Sequence, residues 1–206
     1  LDGVLSTRDT FATLLVEAAR RSPVMGARSA PALARWLRAG HDVPRHAAAS
    51  REVARSLLRG MPEPMYDALA RDVGARLGRI ASRRSMLEVA AGLRREGAHI
   101  VVATGSEHRL AAAFLAAAGV EHDLLLASTL RWTPTGPVFE RHIRGASKLT
   151  AILEAGIPIE QRRFWTDSFD DYPTAQAAAS VVLVAPSRHS AARYRASQVP
   201  FELLLR

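Results

Sequence analysis

Apolar residues follow two patterns along the chain. In the C-terminal half, short β-branched or leucine-rich runs alternate with stretches of helical spacing. Residues 99–103, 123–128, 163–166 and 180–185 read as strands. Residues 107–118, 148–155, 173–179 and 187–196 read as helices, the first two closing at Gly119 and Gly156, which suit a left-handed helix end. This alternation predicts an α/β fold: a largely parallel, Rossmann-like sheet in three layers, with helices on both faces. Ligands of such sheets lie beyond the carboxyl ends of the strands. Thr104-Gly105-Ser106 and Asp167-Ser168 fall at those ends.

Residues 10–85 differ. Apolar positions recur at helical spacing in 11–19, 32–37, 53–58 and 66–77, punctuated by Pro23, Gly40, Pro44, Gly60 and Pro62-Glu63-Pro64. They predict an inserted bundle of about four helices leading into a core helix over 86–95. The chain thus divides into a helical cap, 10–85, and a core made of 1–9 and 86–206. Thr133-Pro134-Thr135-Gly136-Pro137 has turn chemistry and predicts a hairpin returning the chain to the sheet.

A length of 206 residues suits one such core with a modest insertion. The absence of cysteine excludes a disulfide scaffold, a thiol nucleophile and any cysteine-ligated metal. The longest apolar run, 110–120, is alanine-rich and too short for a bilayer, and no basic-then-apolar leader opens the sequence. A cytoplasmic protein with no membrane partner is expected. The formal charge of +8 invites a nucleic-acid reading. Yet the arginines are scattered, with no run of five basic residues and no interleaved aromatics, so no nucleic-acid partner is expected. Among the 28 basic residues 27 are arginine, and the one lysine, Lys148, marks a position suited to a compact ammonium.

Four clusters can carry chemistry. The acidic loop Asp167-Ser168-Phe169-Asp170-Asp171 follows a strand and offers hard oxygen ligands to Mg²⁺, although it equally suits a helix-capping turn. Leu1-Asp2-Gly3-Val4-Leu5 is an acidic turn. Thr104, Gly105 and Ser106 offer hydroxyls and backbone N–H groups to an anion, or cap the following helix. Arg144-Gly145-Ala146-Ser147-Lys148 sets a cation at a helix start, where the helix dipole opposes it unless an anion is close.

Taken in order, these four clusters resemble the motifs of the haloacid-dehalogenase superfamily, in particular its phosphoserine-phosphatase-like branch with a helical cap. Asp2-Gly3-Val4 matches the end of the first motif, Thr104 the second, Lys148 after Gly145 the third, and Asp167-Ser168 with Asp171 the fourth, with Thr166 where the family has glycine. The resemblance implies a Mg²⁺-dependent phosphomonoester hydrolase working through an aspartyl-phosphate. It makes Asp2 the acid and base of the leaving group and water, and Asp167, Asp171 and the Asp2 carbonyl the metal ligands. Thr104, Gly105, Ser106 and Lys148 then hold the phosphoryl group. Asp9 stands where the family contacts a substrate amine, though it also suits the N-cap of a helix starting at Thr10. Arg35, Arg38, Arg51, Arg55 and Arg59 are candidates for a substrate carboxylate.

The family's nucleophile lies two positions before Asp2, ahead of Leu1, together with most of the first core strand. The expectation is therefore a core largely lacking its first strand, and a chain that is inactive as given for want of the nucleophile. The expected partner is a small phosphorylated metabolite, with a homodimer as the only macromolecular assembly considered. The competing readings are a phosphoryl-binding pseudoenzyme, a phosphotransferase and a basic nucleic-acid-binding module.

Overall fold

The computed structural model describes residues 1–38 and 43–204; Gly40 lies outside them. Six strands form two three-stranded sheets. The first holds β1 (Val101–Glu107), β2 (Leu124–Thr133) and β3 (Gly136–Arg141), with β1 parallel to β2 and β3 returning antiparallel through the expected Pro134-Thr135 turn. The second holds β4 (Arg163–Thr166), β5 (Ser180–Val184) and β6 (Glu202–Leu204), all parallel. The mixed α/β architecture with parallel strand pairs follows the sequence pattern.

One detail corrects it. Thr104-Gly105-Ser106 does not lie beyond β1 but within its last residues. There the ladder to β2 is irregular between Thr104 and Glu107. Local bonds replace it: the Ser106 amide donates to Thr104 Oγ1 at 3.1 Å, and Ser128 Oγ donates to the Gly105 carbonyl at 2.8 Å. β6 was not anticipated; a three-residue strand carries too little pattern to read.

Helices α1 (Thr10–Arg21), α2 (Pro23–Arg28), α3 (Ala30–Arg38), α4 (Val43–Leu57) and α5 (Glu63–Ile80) precede α6 (Arg84–Arg95). The short α2 is an addition to the expected four, because Pro23 opens a helix at its first turn, where its missing N–H costs nothing. The remaining helices are α7 (His108–Ala118), α8 (Ala146–Glu154), α9 (Tyr172–Ala177) and α10 (Arg188–Ala196). Gly119 closes α7 at φ +69, the left-handed end its sequence promised.

The main core joins both patterns. Leu14, Leu57, Tyr66, Leu69, Val73 and Leu77 from the helical segment pack with Leu110, Phe114, Val102 and Val182. α5 lies against α7 so closely that a Cβ at Gly74 would stand 2.6 Å from the Leu110 carbonyl oxygen, and one at Gly78 2.5 Å from that of Phe114. At the amino end of α7 a polar clasp ties the same two helices. Tyr66 donates to Glu107 at 2.9 Å, and Arg109 pairs with Glu63 and with Asp67 at 2.9 Å while lying over the Trp132 ring. Burial pushes the Glu107 carboxyl up, and the Tyr66 hydroxyl is driven well above the usual phenol range by burial and then by the Glu107 charge.

The two sheets do not touch edge to edge. β1 and β4 are both edge strands, and between them lies an apolar cavity of about 470 Å³ bordered by Leu1, Val101–Ala103, Phe164 and Trp165.

Candidate active site

The N-terminal residues turn sharply at the foot of this gap. Leu5 and Ser6 both donate backbone N–H groups to the Leu1 carbonyl, at 2.8 and 3.1 Å. Arg83 then anchors the turn, donating from its guanidinium to the Gly3 carbonyl at 3.2 Å. Gly3 sits at φ +73, a conformation that favours glycine, and faces the Asp167 carboxylate. A Cβ there would fall 2.0 Å from Asp167 Oδ2, so the first and fourth sequence clusters meet at a contact only glycine permits.

Asp2 is fixed by the start of α1: its Oδ1 accepts the Thr10 amide at 3.0 Å. Thr10 itself is fully buried, and its hydroxyl bonds that of Ser106 at 2.7 Å, linking the end of β1 to the first turn of α1. Burial pushes the Asp2 carboxyl up to about 7; the nearby Asp9 adds to the rise, while the Thr10 bonds oppose it. Asp9 caps α1, its Oδ1 accepting the Ala12 amide at 2.7 Å.

Lys148 lies in the first turn of α8 with only 8 % of its surface exposed. A cation so placed opposes the helix dipole, and the answer is Asp171, whose Oδ1 is 2.6 Å from the ammonium. Thr166 donates to the other Asp171 oxygen at 2.8 Å. Arg144, next to the start of α8, makes a second bridge to the same loop, to Asp170 at 2.6 Å. The third and fourth clusters are thus held together by two ion pairs.

Asp167 is the exception. Its own backbone N–H and the Lys148 charge favour its ionised form, but Asp171 stands near. Burial and then the Asp171 charge push it up to about 6. A carboxylate raised by an adjacent carboxylate suits a divalent cation, and hard oxygen donors are the right kind for Mg²⁺. Among the described residues, however, no three acidic or histidine side chains group as a ready metal site. Any cation here would need backbone carbonyl or water oxygens as well. The structure thus brings together Asp2, Gly3, Thr10 and Ser106 on one side, and Lys148, Asp167 and Asp171 on the other. Thr104, 2 % exposed, joins the first group through its bond to the Ser106 amide. The sequence does not single out Thr10 or Arg83 for the site; Arg144 and Asp170 both stand in its clusters, and the structure adds that they pair with each other.

The pattern of the haloacid dehalogenase-like hydrolases matches residues 1–176, and the chain belongs to that family. No functionally curated protein matches it in sequence. Among solved structures it is similar to a Bordetella pertussis Tohama I protein of unknown function, at 16 % identity and a TM-score of 0.75, covering 99 % of this chain and 95 % of that one. It is also similar to a substrate-bound phosphoserine phosphatase, at 14 % identity and a TM-score of 0.63, over 99 % and 89 % of the two chains. A probable phosphoserine phosphatase from Vibrio cholerae aligns at 16 % identity and a TM-score of 0.62; the match covers 88 % of this chain but only 54 % of that one. At these identities the likeness is one of fold. The chain is thus a hydrolase-family member with a phosphoserine-phosphatase-like fold. No helix among the described residues is long and apolar enough to cross a membrane.

Proposed function

We propose that the chain forms the body of a Mg²⁺-dependent phosphomonoesterase acting on a small phosphorylated metabolite. The observation that carries the reading is the pairing of Lys148 with Asp171 beside the Asp167 carboxylate, whose acidity burial and the Asp171 charge weaken. An ammonium and a cation-seeking acid at one place suit a phosphoryl group with its metal. Lys148 and Thr104 would bind the phosphoryl oxygens, with the Gly105 and Ser106 backbone alongside. Asp167, Asp171 and the Asp2 carbonyl would hold Mg²⁺, which when bound neutralises phosphoryl charge. Asp2, with its acidity held near neutrality, keeps a proton for the departing alkoxide and can take one from water afterwards. Asp9 contributes to a substrate amine contact in this reading, in addition to capping α1.

The test measures p-nitrophenyl phosphate hydrolysis with Mg²⁺ or EDTA by the full-length protein and its Asp2→Asn and Lys148→Met variants. Turnover is expected only with Mg²⁺ and to fall at least ~100-fold in either variant, a difference of about 2.7 kcal/mol in barrier. Unchanged turnover in both variants would overturn the reading. Phosphate binding without turnover by the unaltered protein would replace it with a phosphoryl-binding role.

Stability against pH gives an independent check on the carboxylates. Asp2 and Asp167 have folded pKa values of about 7 and about 6, against 3.8 without the fold. The native state therefore holds protons that the unfolded chain has released, and its stability falls as pH rises from about 4 through about 7. Millimolar Mg²⁺ competes with the Asp167 proton, so it is expected to raise the melting temperature at about pH 8 and hardly at all at about pH 5. Asp167→Asn should remove the Mg²⁺ response. A response of equal size at both pH values would contradict the assignment.

A further inference from the structure

The tip of the β2–β3 hairpin reaches across to the turn that follows α4. Gly60 donates its amide to the Thr135 carbonyl at 3.3 Å, and the Trp132 indole donates to the Met61 carbonyl at 3.0 Å. Gly136 lies so close that a Cβ on it would stand 2.9 Å from both the Gly60 nitrogen and the Leu58 carbonyl oxygen. Beside this junction is a cavity of about 630 Å³ lined by Arg55, Arg59 and Arg131, with Thr133, Thr135 and Phe139. Arg55 belongs to the last turn of α4 and Arg59 to the turn after it, whereas Arg131 and the threonines belong to the hairpin. Among the described residues none of the three guanidinium groups has an ion pair or a hydrogen bond. Arg55 suits the carboxyl end of a helix on its own account. Arg59 and Arg131 have no such reason to be there, and like charges facing one cavity repel.

We propose that this cavity is a second anion site, which binds the diphosphate group of a small molecule between α4 and the hairpin. Its volume is in the size class of small-molecule sites and exceeds the needs of one phosphate. Three fixed positive charges suit a diphosphate, which carries about twice the charge of a single phosphate. Guanidinium groups meet phosphoryl oxygens through paired N–H bonds, the threonine hydroxyls donate beside them, and the Phe139 ring gives an organic remainder an apolar wall. Arg55 and Arg59, candidates for a substrate carboxylate by sequence, thus stand beside the hairpin tip. The phosphoryl-binding segment is elsewhere on the sheet. Ser128 is level with Glu107, next to Ser106, and Thr133 lies five residues further along β2, or roughly 16 Å of strand. Because the arginines come from both sides of the junction, a bound diphosphate ties the α4 turn to the hairpin. The site stands on the three arginines and their cavity, whatever reaction takes place at Lys148.

The probe is inorganic pyrophosphate, titrated calorimetrically into the full-length protein in EDTA. Saturable binding is expected, at least ~10-fold tighter than that of orthophosphate and weakening as salt is added. It should slow hydrogen exchange at the Gly60 amide, which bonds the hairpin tip. Arg131→Gln should weaken binding at least ~10-fold. The same variant, free of ligand, should melt no lower than the unaltered protein, since the change removes repulsion and breaks no contact. Lys148→Met with Asp171→Asn should bind pyrophosphate as tightly as the unaltered protein does. ADP tells the two sources of a diphosphate apart: tighter binding than pyrophosphate identifies an organic diphosphate, and binding no tighter identifies pyrophosphate itself. Absence of saturable binding at millimolar pyrophosphate, or equal binding by Arg131→Gln, overturns the site. So does a ligand-free Arg131→Gln protein that melts well below the unaltered one, because the arginine would then be holding the hairpin. Loss of pyrophosphate binding in the Lys148 and Asp171 double variant would put the anion at the phosphoryl site, overturning this second site and leaving the phosphatase reading intact.

Discussion

Lys148→Met is expected to destabilise the fold by roughly 3–5 kcal/mol and to abolish phosphate binding, two effects that can be separated. Lys148 and Asp171 are each about 11 % exposed along their side chains and 2.6 Å apart. Removing the ammonium leaves a buried carboxylate with one neutral donor, Thr166, and with Asp167 as a like-charged neighbour. Breaking such a pair costs far more than deleting it whole, because the remaining charge has lost the partner that made burial tolerable. The double variant Lys148→Met with Asp171→Asn should therefore recover most of the stability, as read by urea midpoints, while inorganic phosphate still fails to bind. If the single and double variants were equally unstable, the pair would not be the source of the loss. Lys148→Arg should keep the charge but weaken phosphate affinity at least ~10-fold, since a planar fork cannot occupy the ammonium's place at both Asp171 and a phosphoryl oxygen.

The prominence of Lys148 was legible in the sequence for an unusual reason: arginine fills every other basic position, so the exception stood out. The helix-dipole argument added that this cation needs an anion, and Asp171 and Asp170 supply it to Lys148 and Arg144. The strands and most helices were legible because their periods are local. What stayed hidden depends on residues distant in the chain. Gly3 read as an ordinary turn glycine, yet it also makes room for Asp167, 164 positions away, which no local pattern reports. Thr10 read only as the start of a helix, and its hydroxyl bond to Ser106 belongs to the same class. The Thr104-Gly105-Ser106 segment was placed one step too far along because a strand that ends in side-chain-to-backbone bonds has no sequence punctuation.

The tightest of these hidden contacts carries the second large effect. Gly74 and Gly78 lie one helical turn apart on α5, facing α7. By helix propensity alone, alanine at either position should stabilise by about 1 kcal/mol. Here the added methyl meets the Leu110 or Phe114 carbonyl oxygen at 2.6 or 2.5 Å, and the methyl of Ala113 or Ala117 at 2.8 Å in both cases. Those oxygens belong to helix backbone and cannot rotate away, so α5 must lift off α7. Overpacking of this kind costs about 1–3 kcal/mol beyond what it gains, and the clash wins. Gly74→Ala and Gly78→Ala should each lower stability by about that amount. Their combination should cost less than the sum, because one separation of the helices relieves both clashes. Gly92 on α6 is the control: a Cβ there meets only the tip of Arg95 at 3.9 Å, so Gly92→Ala should stabilise by about 0.5–1 kcal/mol. The separation should also reach the polar clasp. Tyr66 and Arg109 lose alignment as the helices part, and hydrogen exchange at the amides of Arg109 and Leu110, both held by Glu107, should quicken in the double variant. Unchanged exchange there, with stability lost, would mean that α5 gives way at its other end and that the clasp holds independently of the glycine contact.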